Sequence, residues 1–378
     1  MRNLPFERPT PFSPTPVHAE LRRTAPIARV VTPDGQPAWV IVEAELARQV
    51  LADPRITMAP PGTHEENASL LSDGPPHARL RRLLSRAFTP RALESLRPRI
   101  TELARDLVAD LRRHGPGADL VTVLARPLPL GVTCEMLGIE APERFHAWAD
   151  AASGITGGGI GFEEAWAELN AYFPALIAAK RAQPGPDLLS AVIAVRDAGD
   201  GRLSDGELHT IAISLVFGGY LTVANALSIG VVHLLAAGGL GRISHLPAAT
   251  VAEEMVRYSA GLSGEAFPRY AQADLTLAGA EVRAGDQVLV RLEAASHDPA
   301  LIPDPDRFDP ARTPNPHLAF GHGPHHCLGA ALARMELTAA LEALTAQLPA
   351  LALACPPEDI PWTGNPLDNG PASLPVTF

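Results

Sequence analysis

Apolar residues recur at spacings of three and four along much of the chain, and this periodicity predicts a protein built mainly of α-helices. The pattern predicts helices over residues 78–87, 90–113, 162–181, 188–198, 248–259 and 328–347. The predicted strands are few and short: 27–31 and 38–42 form a hairpin across a turn at 32–35, while 275–277 and 287–291 flank a turn at 284–286. Because no repeat and no long polar linker divides residues 1–378, we expect one large, mainly α domain with a small β-sheet region.

A long uncharged segment lies in the second half of the chain. From Leu208 to Gly241 there is no Asp, Glu, Lys or Arg, so by length alone this segment could cross a membrane. A helix buried inside a large soluble domain is equally apolar on all sides, and polar residues such as Ser214 and Asn225 near the centre favour that interpretation. We therefore expect no membrane anchor. The adjacent Gly218 and Gly219 each cost about 1 kcal/mol relative to alanine in a helix, which indicates a packing or functional reason for them.

Composition and charge restrict the partners and the compartment. The apolar fraction of 46% excludes a disordered chain, and a net charge of -11 argues against nucleic acid as a partner, because phosphate binding needs a basic face. Lys180 is the only lysine among many arginines, which suggests GC-rich coding and a bacterial source. The odd number and wide spacing of Cys134, Cys327 and Cys355 argue against a disulfide framework. Residues 1–9 lack the apolar core of a signal peptide, so we expect a cytoplasmic protein.

The densest group of chemically reactive side chains lies in residues 320–329, F-G-H-G-P-H-H-C-L-G, directly before a helix-forming run. Glycines let a backbone approach a ligand closely, and a cysteine at a helix N-terminus gains thiolate character from the helix dipole. Cys327 could therefore bind a metal ion. Two other interpretations stay open at this point. One is a buried cysteine at the start of a core helix; the other is a zinc or non-haem iron site, although sequence neighbours such as His325, His326 and Cys327 seldom all reach one ion.

This ten-residue segment resembles the haem-binding loop of the cytochrome P450 superfamily, whose pattern is F-G-x-G-x-H-x-C-x-G. The resemblance, which is to the soluble bacterial type, implies that haem b is the cofactor and that Cys327 supplies the axial thiolate to its iron. It also implies that Phe320 shields the sulfur. Gly321 and Gly323 would let the loop lie close to the porphyrin, and Gly329 would contact the cofactor as well.

Further segments match the same family in the expected order. Glu254 and Arg257 are similar to its E-x-x-R pair, which lies on one helix face at i and i+3, and residues 305–312 resemble the meander that follows. The resemblance implies that Arg312 completes a buried Glu–Arg–Arg network with a structural role. The matches run from residues 25–26 to 374–376, and so cover nearly the whole chain.

The resemblance also assigns four basic side chains to the haem propionates. Residues 73–81 look like the opening of the helix that crosses the haem, and charge-assisted hydrogen bonds to a carboxylate suit histidine and arginine. The four side chains are His77, Arg79, Arg269 and His325.

One position departs from the family pattern. The uncharged segment resembles the long helix on the distal face of the haem, where the family reads A/G-G-x-D/E-T, and this chain reads Gly218-Gly219-Tyr220-Leu221-Thr222. The resemblance makes Gly219, Leu221 and Thr222 the catalytic positions, but Leu221 stands where the acid that helps to deliver protons should be. Leucine cannot relay a proton.

Three interpretations of this departure stay open. Water or a hydroxyl of the substrate could carry the protons beside Thr222. A specialised reaction, such as oxidative cross-linking or cyclisation of an aromatic, peptide or carrier-bound substrate, could have relaxed the need for the acid. Alternatively, catalysis is peroxide-dependent or lost, and the protein only binds haem.

The resemblance implies a haem-thiolate oxidoreductase that oxidises a small molecule or a natural-product intermediate with O2 and two electrons, most simply by hydroxylation in secondary metabolism. Its electrons would come from a ferredoxin and a ferredoxin reductase. Arg81, Arg82 and Arg86 could form a basic docking face for the ferredoxin, or they could simply be a solvated helix face.

Four segments would contact the substrate: residues 57–73, the glycine-rich residues 154–161, residues 216–223, and residues 263–267. The glycine-rich segment lacks the G-x-G-x-x-G spacing and the preceding strand of a phosphate loop, so we interpret it as a loop. Residues 57–73 are short for the family, which would open the pocket to a large or tethered substrate.

Overall fold

The computed structural model describes residues 1–63, 68–140, 144–155, 159–198, 203–260, 267–364 and 369–378. Helices dominate these ranges, as the spacing of apolar residues predicts. Their bounds are α1 Pro16–Thr24, α2 Ala44–Ala52, α3 Gly74–Leu84, α4 Pro90–His114, α5 Pro127–Leu137, α6 Phe145–Ala152, α7 Phe162–Ala182, α8 Leu188–Asp197, α9 Asp205–Gly219, α10 Leu221–Ala236, α11 Ala248–Ser259, α12 Leu292–Ser296 and α13 Ala330–Gln347. Each of the six helices predicted from periodicity is present, with its ends displaced by a few residues at most.

The strands are short and form a minor part of the described chain. Their bounds are β1 Arg2–Asn3, β2 Ile27–Val31, β3 Pro37–Ile41, β4 Ile56–Thr57, β5 Ala118–Asp119, β6 Arg269–Ala271, β7 Leu275–Leu277, β8 Ala280–Val282, β9 Gln287–Val290, β10 Ala352–Leu353 and β11 Pro375–Thr377. The largest sheet has six strands in the order β1-β2-β3-β9-β6-β4. The predicted class, mainly α with a small β-sheet region, is confirmed.

The predicted hairpin of β2 and β3 is present, with Arg29 opposite Trp39 in an antiparallel register. The second strand prediction missed a strand, because β7 pairs with β8 through a tight turn at Ala278 and Gly279. Both turn residues have positive φ (45° and 83°), as two-residue hairpin turns of this hand require. Strand β9 instead lies parallel to β3 and antiparallel to β6, so the turn at 284–286 connects two different sheets.

The uncharged segment forms helices α9 and α10, and the expectation of one continuous helix is corrected by a break at Tyr220. This residue has φ -98° and ψ -88°, outside the helical region. Residues Asp205–Ala236 are long and apolar enough to cross a membrane, but 72% of their most apolar stretch is buried inside the protein. The structure therefore supports a core helix, and α10 packs against α11 and α13.

A buried ion network joins α11 to the segment that precedes the cysteine loop. Arg257 donates from Nε to Oε2 of Glu254 at 2.8 Å, and both side chains are fully buried. Arg312 lies 3.4 Å from the same carboxylate, and Asn315 donates to it at 3.0 Å. The remaining guanidinium hydrogens bind backbone carbonyls, including Pro305 O at 2.8 Å from Arg257. The Glu–Arg–Arg network expected from the resemblance is thus present, and it fixes the chain that leads into the site.

Candidate active site

Cys327 lies between a short 3-10 turn, Gly323–His325, and the first residue of α13. Its backbone N–H donates to Phe320 O at 2.8 Å, which closes the loop on itself. Burial raises the pKa of the thiol, although the backbone N–H groups of Gly329 and Ala330 and the charge of Arg334 oppose that shift. Cys327 is nevertheless an exposed residue. An accessible sulfur at a helix start, with guanidinium charges nearby, is suited to bind a metal centre.

Two glycines of this loop are required by the backbone. Gly321 and Gly323 have φ of 72° and 70°, a region that residues with a Cβ rarely adopt. At Gly323 a Cβ would also lie 2.5 Å from Leu51 O, so the loop can pack on α2 only with glycine there. Gly329 shows no comparable requirement, because its φ is -84° and a Cβ would meet nothing within 4 Å.

The ring of Phe320 lies against the guanidinium group of Arg334. The guanidinium carbon of Arg334 lies 4.4 Å from the centre of the Phe320 ring. Arg334 in turn pairs with Glu253 on α11 at 2.6 Å, and His317 donates from Nε2 to the same carboxylate at 2.9 Å. Although burial of this carboxyl works in the opposite direction, its hydrogen bonds to Arg334 and His317 lower the pKa of Glu253 to about 2. Phe320 is therefore held in place by side chains that are themselves fixed.

Two of the histidines expected to bind propionates lie against each other. The rings of His77 on α3 and His325 in the cysteine loop stack with centroids 4.1 Å apart. His325 Nε2 lies 3.0 Å from a carboxylate oxygen of Asp73. His77 is 3% exposed, and its Nε2 has no hydrogen-bond partner within the described part of the chain. Burial, with the charges of His325 and Arg81, lowers the pKa of His77 to about 4.

Arg79 and Arg81 of α3 point in different directions. Arg79 binds both carboxylate oxygens of Glu207 in the first turn of α9, one of them at 3.2 Å, so the structure does not bring it to the cysteine loop. Arg81 does reach that loop, donating to His326 O at 2.7 Å. On a helix, residue i+4 shares a face with residue i and residue i+2 lies on the opposite side. Counting from His77, that rule selects Arg81 instead of Arg79, and it could have been applied to the sequence.

Arg269 is the fourth basic side chain. It is half-buried and donates to Phe267 O at 2.9 Å, and among the described residues no carboxylate lies within salt-bridge distance of it. Burial lowers the pKa of this guanidinium, and the charge of Asp73 partly offsets that effect. Asp73 interacts with His325 and Arg269, whereas Arg81 binds a backbone carbonyl. The buried Nε2 of His77, which has no partner among the described residues, the guanidinium groups of Arg81 and Arg269, and the thiol of Cys327 fit a haem that carries two carboxylates.

The other predicted catalytic positions, Gly219, Leu221 and Thr222, lie at the break between α9 and α10. Thr222 donates from Oγ1 to Gly218 O at 3.1 Å, across the break. A Cβ on Gly219 would lie 2.7 Å from Thr133 Oγ1, so glycine is needed where α9 packs on α5. Leu221 is 4% exposed and belongs to the hydrophobic core. This position therefore offers no group that could relay a proton.

The predicted substrate segments fall partly outside the described residues. This holds for residues 64–67, 156–158 and 263–266. The ends that are described carry large exposed apolar side chains: Leu71, Phe162 directly after residues 154–161, and Phe267 are each about half exposed or more.

Comparisons with known proteins agree with this geometry. The family model described as Cytochrome P450 matches residues 243–349, which include the Glu–Arg pair and the cysteine loop. The mycinamicin IV hydroxylase/epoxidase of Micromonospora griseorubida is 41% identical over 380 residues, covering 96% of this chain and 94% of that protein. This chain is a cytochrome P450.

Other members of the family are similar along the whole P450 chain. The nocardicin C N-oxygenase of Nocardia uniformis subsp. tsuyamanensis is 38% identical and covers 100% of this chain and 98% of its own. The solved structure of the mixed-function P450 MycG superposes with a TM-score of 0.89 at 40% identity, covering all of both chains. The protein is therefore an oxidoreductase of the monooxygenase type with haem as its cofactor.

In this P450 the residues present fit the cofactor. When bound, haem supplies the iron chemistry that activates molecular oxygen toward a substrate. Cys327 would hold the iron through its sulfur, while the helix start and the nearby guanidinium charges favour the thiolate. His77, Arg81, Arg269 and His325 would hold the carboxylates. Thr222, which is exposed at the start of α10, would hold a proton at its hydroxyl for delivery during the reaction.

Proposed function

We propose that this P450 hydroxylates a natural-product intermediate, using O2 and two electrons supplied by a ferredoxin and its reductase in the bacterial cytoplasm. One observation carries the proposal. The chain combines the thiol of Cys327, just before α13, with the hydroxyl of Thr222 at the break between α9 and α10. Both relatives named above act on natural products, one as a hydroxylase/epoxidase and one as an N-oxygenase.

The residues that would do the work follow from the contacts. Cys327 binds iron, and His77, Arg81, Arg269 and His325 bind the propionates. Arg79 is not part of this set, because its guanidinium is already committed to Glu207. Phe320 packs beside the sulfur, and Gly321 and Gly323 provide the close approach of the loop.

Proton delivery would proceed without a carboxylate at position 221. Leu221 is buried among apolar side chains, so it offers no group that could relay a proton. The break keeps the hydroxyl of Thr222 and the Gly218 carbonyl that accepts from it. Water, or a hydroxyl of the substrate, placed beside Thr222 completes the path for protons.

An exposed basic surface supports a ferredoxin partner. Arg82, near the end of α3, and Arg86, in the turn that follows α3, are both exposed, and within the described ranges neither guanidinium pairs with a carboxylate. Helix α3 also carries His77 in its first turn, so a partner docked on this helix would lie on the cysteine side of the site.

The test is product analysis with a labelled oxidant. The reduced protein under carbon monoxide should show the absorption of a thiolate-bound haem, and Cys327→Ala should abolish it. Turnover of compounds from the neighbouring biosynthetic genes, with ferredoxin and reductase under isotope-labelled O2, should place one labelled oxygen atom in the product. A product that is coupled or cyclised and carries no label would overturn hydroxylation.

Such an unlabelled product would support oxidative coupling of an aromatic or carrier-bound substrate. That second candidate is favoured by one specific observation, the buried leucine at the position of the acid. A parallel reaction driven by hydrogen peroxide tests the peroxide-dependent alternative. Turnover with peroxide but not with ferredoxin would contradict the proposed electron source.

A further inference from the structure

The break in the distal helix is tied to a neighbouring helix through a buried tyrosine. Tyr220, the residue between α9 and α10, is 1% exposed. Its hydroxyl donates to Oδ1 of Asp150 on α6. The other carboxylate oxygen of Asp150 lies 3.6 Å from Nη1 of Arg126, directly before α5. Three segments thus meet at one carboxylate.

This contact is a strong one by its chemistry. A hydrogen bond to an ionised carboxylate is stronger than one between neutral groups, and here the donor is almost completely shielded from water. Burial and the charge of Asp150 raise the pKa of Tyr220 far above its ordinary value, so the phenol remains a donor at every pH at which the protein functions. Arg126 balances the charge of the acceptor.

The same break carries the groups that act on the distal side. Thr222 donates to Gly218 O across it, and Gly219 allows the close packing of α9 on Thr133 of α5. The direction of the Thr222 hydroxyl therefore depends on the geometry of the break. A side chain that fixes Tyr220 also fixes the residues on either side of it.

Asp150 also organises the end of α6. Its backbone carbonyl accepts from Ser153 N–H at 3.1 Å and from Ile155 N–H at 2.9 Å. Ser153 directly precedes the glycine-rich residues 154–161, and Ile155 is the second residue of that segment. One residue thus contacts the helix break through its side chain and the start of this segment through its backbone.

We propose that Tyr220 and Asp150 are a positioning pair that holds the distal helix break in the shape that orients Thr222, and that links this break to the segment after α6. The pair acts through Thr222 and does not itself exchange protons with the substrate. The inference rests on the proposed function only where it assigns Thr222 to proton delivery.

The test uses Tyr220→Phe, Asp150→Asn and the double variant in the full-length holoprotein. Amide hydrogen exchange in peptides that cover residues 216–226 should be about tenfold faster in each single variant, as expected when a charge-assisted hydrogen bond is lost. The double variant should match Tyr220→Phe, because neither contains the phenol donor, while Asp150→Asn keeps only a neutral acceptor in place of the carboxylate. With a turned-over substrate, peroxide released per electron pair should rise in parallel.

Tyr172→Phe is the matched control. The Tyr172 ring also packs against α6, with its centroid 5.5 Å from that of Phe145, and its hydroxyl lies 3.5 Å from Glu140 O, away from the break. Its exchange at residues 216–226 should equal that of the wild type. Wild-type exchange in both Tyr220→Phe and Asp150→Asn, or additive effects in the double variant, would overturn the proposal. If Tyr220→Phe does not retain haem, Asp150→Asn decides alone.

The exchange measurement needs neither substrate nor redox partner. Faster exchange without detectable hydroxylation would therefore refute the proposed function and leave the positioning pair supported. Unchanged exchange in an active hydroxylase would refute the pair alone.

Discussion

His77 and His325 stack with ring planes 19° from parallel, although they lie on elements almost 250 residues apart in sequence. Among the described residues, His325 has a carboxylate partner, Asp73, whereas the buried Nε2 of His77 has no hydrogen-bond partner. Buried polar atoms are nearly always hydrogen-bonded in folded proteins. An anionic ligand at this pair, aided by Arg81, resolves that deficit, and the haem carboxylates have the required charge.

Haem retention should distinguish Arg81 from Arg79 on α3. Arg81→Ala should speed the transfer of haem to apomyoglobin about tenfold or more, because a hydrogen bond between charged groups is lost. Arg79→Ala is the matched comparison on the same helix. It should leave the transfer rate unchanged and lower the free energy of unfolding by about 1 kcal/mol, since it loses the pair with Glu207. The reverse order of transfer rates would contradict the assignment of Arg81.

The hydroxyl of Thr222 should control how efficiently electrons reach the product. Thr222→Ala removes the donor to Gly218 O, so peroxide release per NAD(P)H consumed should rise several-fold while the carbon monoxide spectrum stays that of a thiolate-bound haem. Thr222→Ser keeps the hydroxyl and should restore most of the coupling. Equal coupling in the wild type and both variants would show that another group delivers the protons.

Loss of the buried network should prevent stable folding. Arg257→Leu leaves the fully buried Glu254 carboxylate without its bidentate partner, which costs about 3–5 kcal/mol in comparable sites. We expect little soluble holoprotein and a large decrease of the urea midpoint. The exposed Arg97–Glu94 pair on α4 is the control, and Arg97→Ala should leave that midpoint unchanged. A soluble Arg257→Leu protein of wild-type midpoint would show that the network is dispensable.

Acid should destabilise the protein through buried neutral histidines. Burial, with the charge of Arg257, lowers the pKa of His297 to about 3. The unfolded chain takes up this proton below its ordinary pKa of 6.5 and the folded protein does not until about pH 3, so the stabilising effect is present above 6.5 and is lost as the pH falls. The contribution is roughly 1.4 kcal/mol per pH unit in that window.

His297→Gln should therefore make the dependence of the unfolding free energy on pH shallower by about one proton between pH 6 and pH 5. Urea titrations at several pH values measure this slope. His245, an exposed histidine between α10 and α11, provides the control, because its replacement should leave the slope as it is. A His297→Gln slope equal to that of the wild type would contradict the prediction.

Much of the fold could be predicted because its signals are local. Helix α11 matches the predicted residues 248–259 at both ends, since its amphipathic period and its Glu254–Arg257 spacing are properties of a single helix. The glycines of the cysteine loop were recognisable for the same reason: the positive φ of Gly321 and Gly323 is a requirement of the local backbone. Strand β8 was missed because three residues between two turns carry too little periodicity to identify.

The sequence by itself determined the order of the helices and the absence of an acid at Leu221, and the family resemblance of residues 320–329 predicted Cys327 as the iron ligand, because each depends on residues only a few positions apart. Tertiary structure decided which arginine of α3 faces the cysteine loop, that the distal helix breaks at Tyr220, and that Asp150 from α6 receives its hydroxyl. Those outcomes depend on how segments about 70 to 250 residues apart pack together. Residue spacing along one helix specifies which side chains share a face of that helix. Only the packing of distant segments decides which residues that face contacts.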